Sequence, residues 1–297
     1  MNPLSEIEIE PPTGFSLHET VHAHGWRALQ PFAWEDGTLE RIERLSDGQV
    51  IQLAITQPAE DMLRLRCSEP TPADEIISRV RAMLQMEVLL DYFHAFCAGR
   101  TELAQIPVRN HGRMLRSPTL WEDTVKVIAT SNTTWVQTKS MVARLCEHFG
   151  SPLASDPARH AFPAPQQIAA IPFEEFAAKA RMGYRNAYVF KLATSIADGA
   201  LDLESWNRDD LPSDVLRKRL LSLPGIGPYG AACLLLYSGH AGHVNVDSWA
   251  RTLVAREMGR PVTDKEVQTF FESYGEWRGL VYTFYPWRGE NAGETAI

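Results

Sequence analysis

The stretch Leu223-Pro224-Gly225-Ile226-Gly227-Pro228-Tyr229, followed after an interval by Val246-Asp247-Ser248-Trp249, decides the fold of this chain. Gly225 and Gly227 accept φ > 0 and have no Cβ, so a turn built on them can lay backbone N–H groups directly against phosphate oxygens. Pro228 suits the first position of a helix, and the N-terminus of that helix adds a favourable dipole for an anion. Upstream, Ser213 to Leu221 has helical texture, with Ser213 as an N-cap and Asp214 in its first turn. The stretch therefore reads as helix, glycine turn, helix. Asp247 opens a further helix, Ser248 to Met258, whose N-terminus would hold its carboxylate ionised. Taken alone, an Asp in this place is a cap and no more.

At this spacing the hairpin and the aspartate together resemble the helix-hairpin-helix (HhH-GPD) DNA glycosylase superfamily, nearest to its 3-methyladenine glycosylase II and 8-oxoguanine glycosylase branches. Thr130-Ser131-Asn132-Thr133-Thr134 with Met141-Val142-Ala143-Arg144-Leu145-Cys146 is similar to the family segment that enters the space left by a flipped nucleotide. Gly183-Tyr184-Arg185 resembles the wedge turn of the 8-oxoguanine branch, in which the aromatic unstacks a base step and the arginine contacts the orphaned base. Trp277-Arg278-Gly279-Leu280 resembles the pocket helix of the 3-methyladenine branch. Matched segments run from about Arg113 to Trp287, and the N-terminal third matches only as a pattern.

The resemblance implies an α+β architecture: a small N-terminal antiparallel β-sheet domain on a mainly α-helical core of two subdomains, with the active cleft between them. It implies that Gly225, Ile226 and Gly227, together with Asn132, Tyr184, Arg185 and Lys218, meet double-stranded DNA containing a damaged base. Tyr229, Cys233, Trp249, Trp277 and Tyr282 would line the base pocket. Breaking an N-glycosidic bond builds positive charge on the sugar, so an ionised Asp247 would stabilise that charge and orient or deprotonate a water. In branches that also cut the strand, a lysine follows the hairpin and forms a Schiff base. Here that residue is Tyr229, which implies a monofunctional enzyme leaving an abasic site. Alkylated purines, 3-methyladenine and 7-methylguanine, are the expected lesions. An oxidised-purine glycosylase and a non-enzymatic binder of damaged DNA are the alternatives.

Composition bounds these expectations. The 297 residues suffice for one large or two modest cores. The net charge of −8 runs against phosphate binding. Its distribution matters more, because Lys179, Arg181, Arg185 and Lys191 fall in an acid-free run, and Arg217-Lys218-Arg219 sits just before the hairpin. Cys67, Cys97, Cys146 and Cys233 lie far apart, which excludes a zinc ribbon and the four-cysteine iron–sulfur loop of the endonuclease III branch. They read as reduced, buried thiols. His18, His22 and His24 lack a fourth ligand, so no metal is expected, and the only ion that the family suggests is a monovalent cation at the hairpin. No run of residues is apolar enough to span a bilayer and no leader is visible, so a monomer is expected in the cytoplasm, or around the nucleoid if the source is bacterial.

Along the chain, residues 1–12 read as an acidic, Pro-bearing flexible tail and 13–106 as the β-sheet domain with a following helix. Strands are expected at Phe15 to Leu17, Val21 to Trp26, Ile51 to Ile55 and Met62 to Arg66, with a hairpin at Trp34 to Thr38. Residues 107–297 form the helical domain. Helices are expected at Pro118 to Ile128, Thr134 to Phe149, Phe173 to Arg181, Asn186 to Asp198, Pro228 to Tyr237 and Thr263 to Phe271. Ser151 to Pro165 reads as a loop. Of the eight aromatics between Phe270 and Trp287, at least half belong to the core.

Overall fold

The computed structural model describes residues 5–208 and 211–287. Five strands form one antiparallel sheet in the order β1-β5-β4-β3-β2, over β1 (Ser5–Ile9), β2 (Phe32–Glu35), β3 (Thr38–Arg44), β4 (Val50–Ala59) and β5 (Met62–Cys67). Alternation dictates the buried face: Ile51, Leu53 and Ile55 of β4 and Leu63 and Leu65 of β5 point into the core. The β2–β3 hairpin turns on Asp36 and Gly37, both at positive φ, which matches the twist of the flanking strands.

Three expectations from sequence are corrected here. The flexible tail is, from Ser5 to Ile9, an edge strand paired to β5, and residues 1–4 lie outside the described residues. Ile7 and Ile9 pack on the core, while Glu6 and Glu8 pair with Arg66 and Arg64 at 2.8 and 3.0 Å. Acidic composition concealed a period of two. The stretch containing His18 and His22 is a helix, Leu17–His22, because the Ser16 hydroxyl caps the Glu19 amide at 3.2 Å, and Gly25–Ala28 is a single 3-10 turn. The expected loop after Ser151 contains a second hairpin, β6 (Pro152–Leu153) with β7 (Asp156–His160). Leu153 and Ala161 cover Ile42, which β3 presents on the face away from the main core.

Helices build the rest. Thr119 and Thr134 cap Leu120–Thr130 and Trp135–Phe149, the latter in a full capping box with Gln137, and Gly150 ends it. Phe173–Ala180, Arg185–Ala197, Ser213–Leu221, Pro228–Tyr237, Ser248–Met258 and Asp264–Glu272 follow the expected spans to within a residue or two. At Ser213 the cap is Pro212 instead, and the Ser213 hydroxyl is buried without a partner.

Leu120–Thr130 is buried on every side from Leu120 to Ala129, charged residues included. Glu122 receives both guanidinium nitrogens of Arg41, at 3.1 and 2.8 Å, and the Lys126 ammonium at 2.7 Å. Arg41 also bonds Glu43, which bonds Arg79. The inward face of β3 thus meets this central helix through charge as well as apolar packing. The Trp26 indole donates to Asp123 at 2.9 Å, and one apolar cluster runs from the sheet through the helices. All four cysteines are buried free thiols. Among the described residues no helix is long and apolar enough to cross a membrane.

Candidate active site

A cavity of about 770 Å³ opens where the Leu120–Thr130, Arg185–Ala197, Pro228–Tyr237 and Ser248–Met258 helices converge. It gathers most of the residues singled out in the sequence: Asn132, Tyr184 and Arg185 on one side, Gly225, Gly227 and Tyr229 on another, with Cys233, Asp247, Trp249 and Tyr282 completing it. Three are not brought there. Ile226 is buried beneath the hairpin and packs towards Gly230, so it offers the turn only its backbone. Lys218 is exposed on the Ser213–Leu221 helix, outside the cavity lining. Trp277 sits with its ring centroid 5.5 Å from Phe93, packed on the core away from the lining. Resemblance to a pocket helix placed it beside Tyr282, but it ends the 3-10 turn Gly275–Trp277, ahead of the Arg278–Phe284 helix that carries Tyr282.

Asp247 is the N-cap of Ser248–Met258, its Oδ1 accepting the Ala250 amide at 2.8 Å. Burial pushes its carboxyl above the ordinary range, and the amides of Ala250 and Trp249 pull the other way. The helix terminus therefore does less to keep it charged than the sequence suggests. Asp247 is the one carboxylate lining the cavity among the described residues. Arg251 is the charge that acts on it, favouring the ionised form, and its other neighbours are neutral: burial pushes the Cys233 thiol up to about 12, and the Tyr229 phenol lies well above its usual value beside that thiol. Tyr229 bonds the side chains of Cys233 and Thr130, and Asn245 bonds Cys233, so the polar wall is a chain of uncharged groups. No lysine lines the cavity among the described residues. The described residues also contain no cluster of His, Cys, Asp or Glu fit to hold a metal.

Gly225 has φ +79, a conformation that favours glycine. Gly227 does not: its φ is −97, and it serves as the N-cap of Pro228–Tyr237. What Gly227 offers is space, since a Cβ there would meet nothing within 4 Å. Gly227→Val is accordingly expected to fold as the wild type does and to lose affinity for every duplex alike, because the added branch meets only an approaching phosphate. Titration at several salt concentrations checks this; a defect confined to one lesion would show that the hairpin is no backbone clamp.

Arg185 differs most from its expected role. Its guanidinium points inward, donating to the carbonyls of Ser131, Asn132 and Met182, and the residue is buried. It holds the turn on which Asn132 sits at φ +47, instead of reaching out to an orphaned base. Tyr184 lies at the mouth, 54% exposed, with its hydroxyl 3.5 Å from Asn132 Nδ2.

Sequence reasoning missed His24, Trp26, Tyr188, Tyr237, Asn245 and Trp287, all of which line the cavity. His24 donates to the Leu115 carbonyl at 2.5 Å, stacks on Tyr237 at 5.0 Å, and burial lowers its pKa to about 4, so it is neutral. Tyr188 had a local signal, standing one helical turn after Tyr184. The N-terminal residues had none.

No protein-family model matches the chain. A Saccharomyces cerevisiae N-glycosylase/DNA lyase is 27% identical over 149 residues, 46% of this chain, and the chain matches only 39% of that relative's length. Among solved structures, the 3-methyladenine DNA glycosylase of Archaeoglobus fulgidus superposes with TM-score 0.73 at 18% identity, covering 93% of this chain and 96% of its own. MBOgg1 in complex with a low-affinity DNA ligand gives 0.72 at 21% identity, over 95% and 97%. The Clostridium acetobutylicum 8-oxoguanine glycosylase/lyase gives 0.65 at 17% identity, over 87% and 99%. With the hairpin, the aspartate-capped helix and the cavity between them in place, the chain has the fold of the helix-hairpin-helix DNA glycosylases.

Proposed function

We propose that this protein is a monofunctional DNA glycosylase that takes a flipped, alkylated purine into the cavity and hydrolyses its N-glycosidic bond. The observation that carries the reading is Asp247: the single carboxylate in an aromatic cavity whose two arginines, Arg185 and Arg251, are each engaged elsewhere, beside a hairpin shaped for phosphate. As the bond to the base lengthens, its electron pair leaves with the base and positive charge grows on the sugar, where the carboxylate stabilises it. Water adds at C1′ and its proton passes to Asp247 or to solvent, leaving an abasic site. This chemistry needs no cofactor, and a monovalent cation at the hairpin would serve only to grip phosphate.

The lesion class follows from the lining. A purine alkylated at N3 or N7 is cationic, and the π faces of Trp249, Tyr229 and Tyr282 favour a cation by about 0.5–2 kcal/mol. Arg185 is committed to backbone carbonyls and Arg251 to Asp264 at 2.6 Å, so neither stands ready to repel it. Similar structures divide between a 3-methyladenine enzyme and 8-oxoguanine enzymes, and the Gly183-Tyr184-Arg185 turn favours oxidised purines as the second reading. Duplexes carrying 3-methyladenine, 7-methylguanine or 8-oxoguanine decide it: the alkylated bases are expected to leave faster. Release of 8-oxoguanine with alkylated DNA left intact would overturn the lesion class.

Tyr229 stands where strand-cutting relatives have a lysine and cannot form an imine. Borohydride added during turnover is therefore expected to trap no protein–DNA adduct, and the strand to break only on later alkali treatment. A trapped adduct, with Lys218 the first residue to map, would refute the monofunctional mechanism.

A further inference from the structure

Tyr188 lies at the cavity mouth and enters none of the roles described above. It follows Tyr184 by one turn of the Arg185–Ala197 helix, is 38% exposed, and its ring stands edge-on to that of Tyr184 with centroids 5.9 Å apart. Its other side lies on the hairpin. A Cβ built on Gly225 would come within 2.7 Å of Tyr188 Cδ2 and 3.0 Å of its Cγ, so the ring rests directly against the backbone of the turn. Gly225 thus lacks a side chain for two reasons, its left-handed φ and the seat it gives this ring.

The contacts continue past Tyr184. The Arg185 guanidinium lies 4.5 Å over the Tyr184 ring and holds the carbonyls of Ser131 and Asn132. One unbroken path of packing therefore runs from hairpin to Tyr188, to Tyr184, to the turn carrying Asn132. Gly183, at φ +62 with nothing near its missing Cβ, adds no side chain beside Tyr184. Tyr188 is then the buttress on which an outward-facing Tyr184 can bear load.

We propose that Tyr188 is a positioning residue that couples the phosphate-gripping hairpin to Tyr184, so that seating the backbone on Gly225 and Gly227 drives the Tyr184 ring into the base stack. This rests on the reading of the hairpin and Tyr184 as DNA-facing, but not on which lesion is excised. An aromatic pair contributes beyond its buried area on a scale that makes the coupling worth roughly threefold to tenfold in an equilibrium. The hydroxyl is not required; the ring is.

The test uses a duplex with a tetrahydrofuran abasic analogue opposite cytosine and 2-aminopurine beside it, whose fluorescence rises when the neighbouring base unstacks. Titration gives affinity and fluorescence amplitude from one experiment, and the lesion preference does not enter. Tyr188→Ala is expected to lose most of the fluorescence rise at saturation while affinity falls by no more than the coupling itself, about tenfold, and Tyr188→Phe to restore both. Full unstacking by Tyr188→Ala at saturation would overturn the proposal, as would an affinity loss far beyond tenfold, which would make Tyr188 a direct DNA contact, or failure of Tyr188→Phe to rescue. Thermal unfolding of Tyr188→Ala near wild type ties the loss to position and not to misfolding. A wild-type protein that binds no such duplex would instead refute the DNA-facing reading itself.

Discussion

Asp247→Asn is expected to abolish base release while leaving duplex affinity nearly unchanged, a loss on the order of a hundredfold to a thousandfold in single-turnover rate. The substitution separates the two things that Asp247 can be. Asn caps a helix about as well as Asp, so the bond to the Ala250 amide and the start of Ser248–Met258 survive it. A residue that served only as a cap would tolerate the change. The thermal midpoint should hold or rise, because burial disfavours the charged carboxylate and removing the charge removes that penalty. The pH profile follows with its sign. The ionised form is the working one and burial raises its pKa, so the rate falls on acidification at a higher pH than an exposed aspartate would give. An Asn variant that excises near the wild-type rate would end the assignment of Asp247 as catalytic.

Glu122→Gln is expected to destabilise the protein by about 3–5 kcal/mol, since it takes the carboxylate from the buried Lys126 and leaves the buried Arg41 with Glu43 alone. Arg41 and Glu122 are 3% and 2% exposed and Lys126 is fully buried, so water cannot compensate them. For a chain of this size the midpoint should drop by roughly 10 °C, read by thermal unfolding. Burial opposes the charge on Glu122, but Arg41 and Lys126 outweigh it and lower the pKa from the ordinary 4.5 to about 2. The stabilisation is therefore complete above about the ordinary value and lost as the pH falls towards 2. A Gln variant that melts with the wild type would show that this network does not join the sheet to the central helix.

Much of the fold was legible because its signals are local. Gly225 at positive φ, Pro228 at the first turn of its helix and Asp247 at the N-cap depend on adjacent residues alone. The helical periods of Trp135–Phe149 and Ser248–Met258, with their caps and stops, are likewise short-range. The same local character explains the errors. Residues 5–9 were hidden because acidity outweighed alternation, and Ser16-x-x-Glu19 was a cap read through as strand.

The sequence by itself determined the hairpin, the aspartate behind it and the helical succession that carries them, because each is a constraint on dihedral angles or on a repeat of three to four residues. Tertiary structure alone decided what surrounds Asp247. His24 and Trp26 reach the cavity from the N-terminal segment, Arg185 turns inward to three carbonyls, and Trp277 leaves the lining for Phe93. It also decided that Glu122 and Lys126 would be buried on a helix whose own pattern reads as one-sided, because Arg41 arrives to meet them from β3. Such placements are set by which long-range contacts satisfy each buried charge and fill each void, and no spacing within a single segment encodes them.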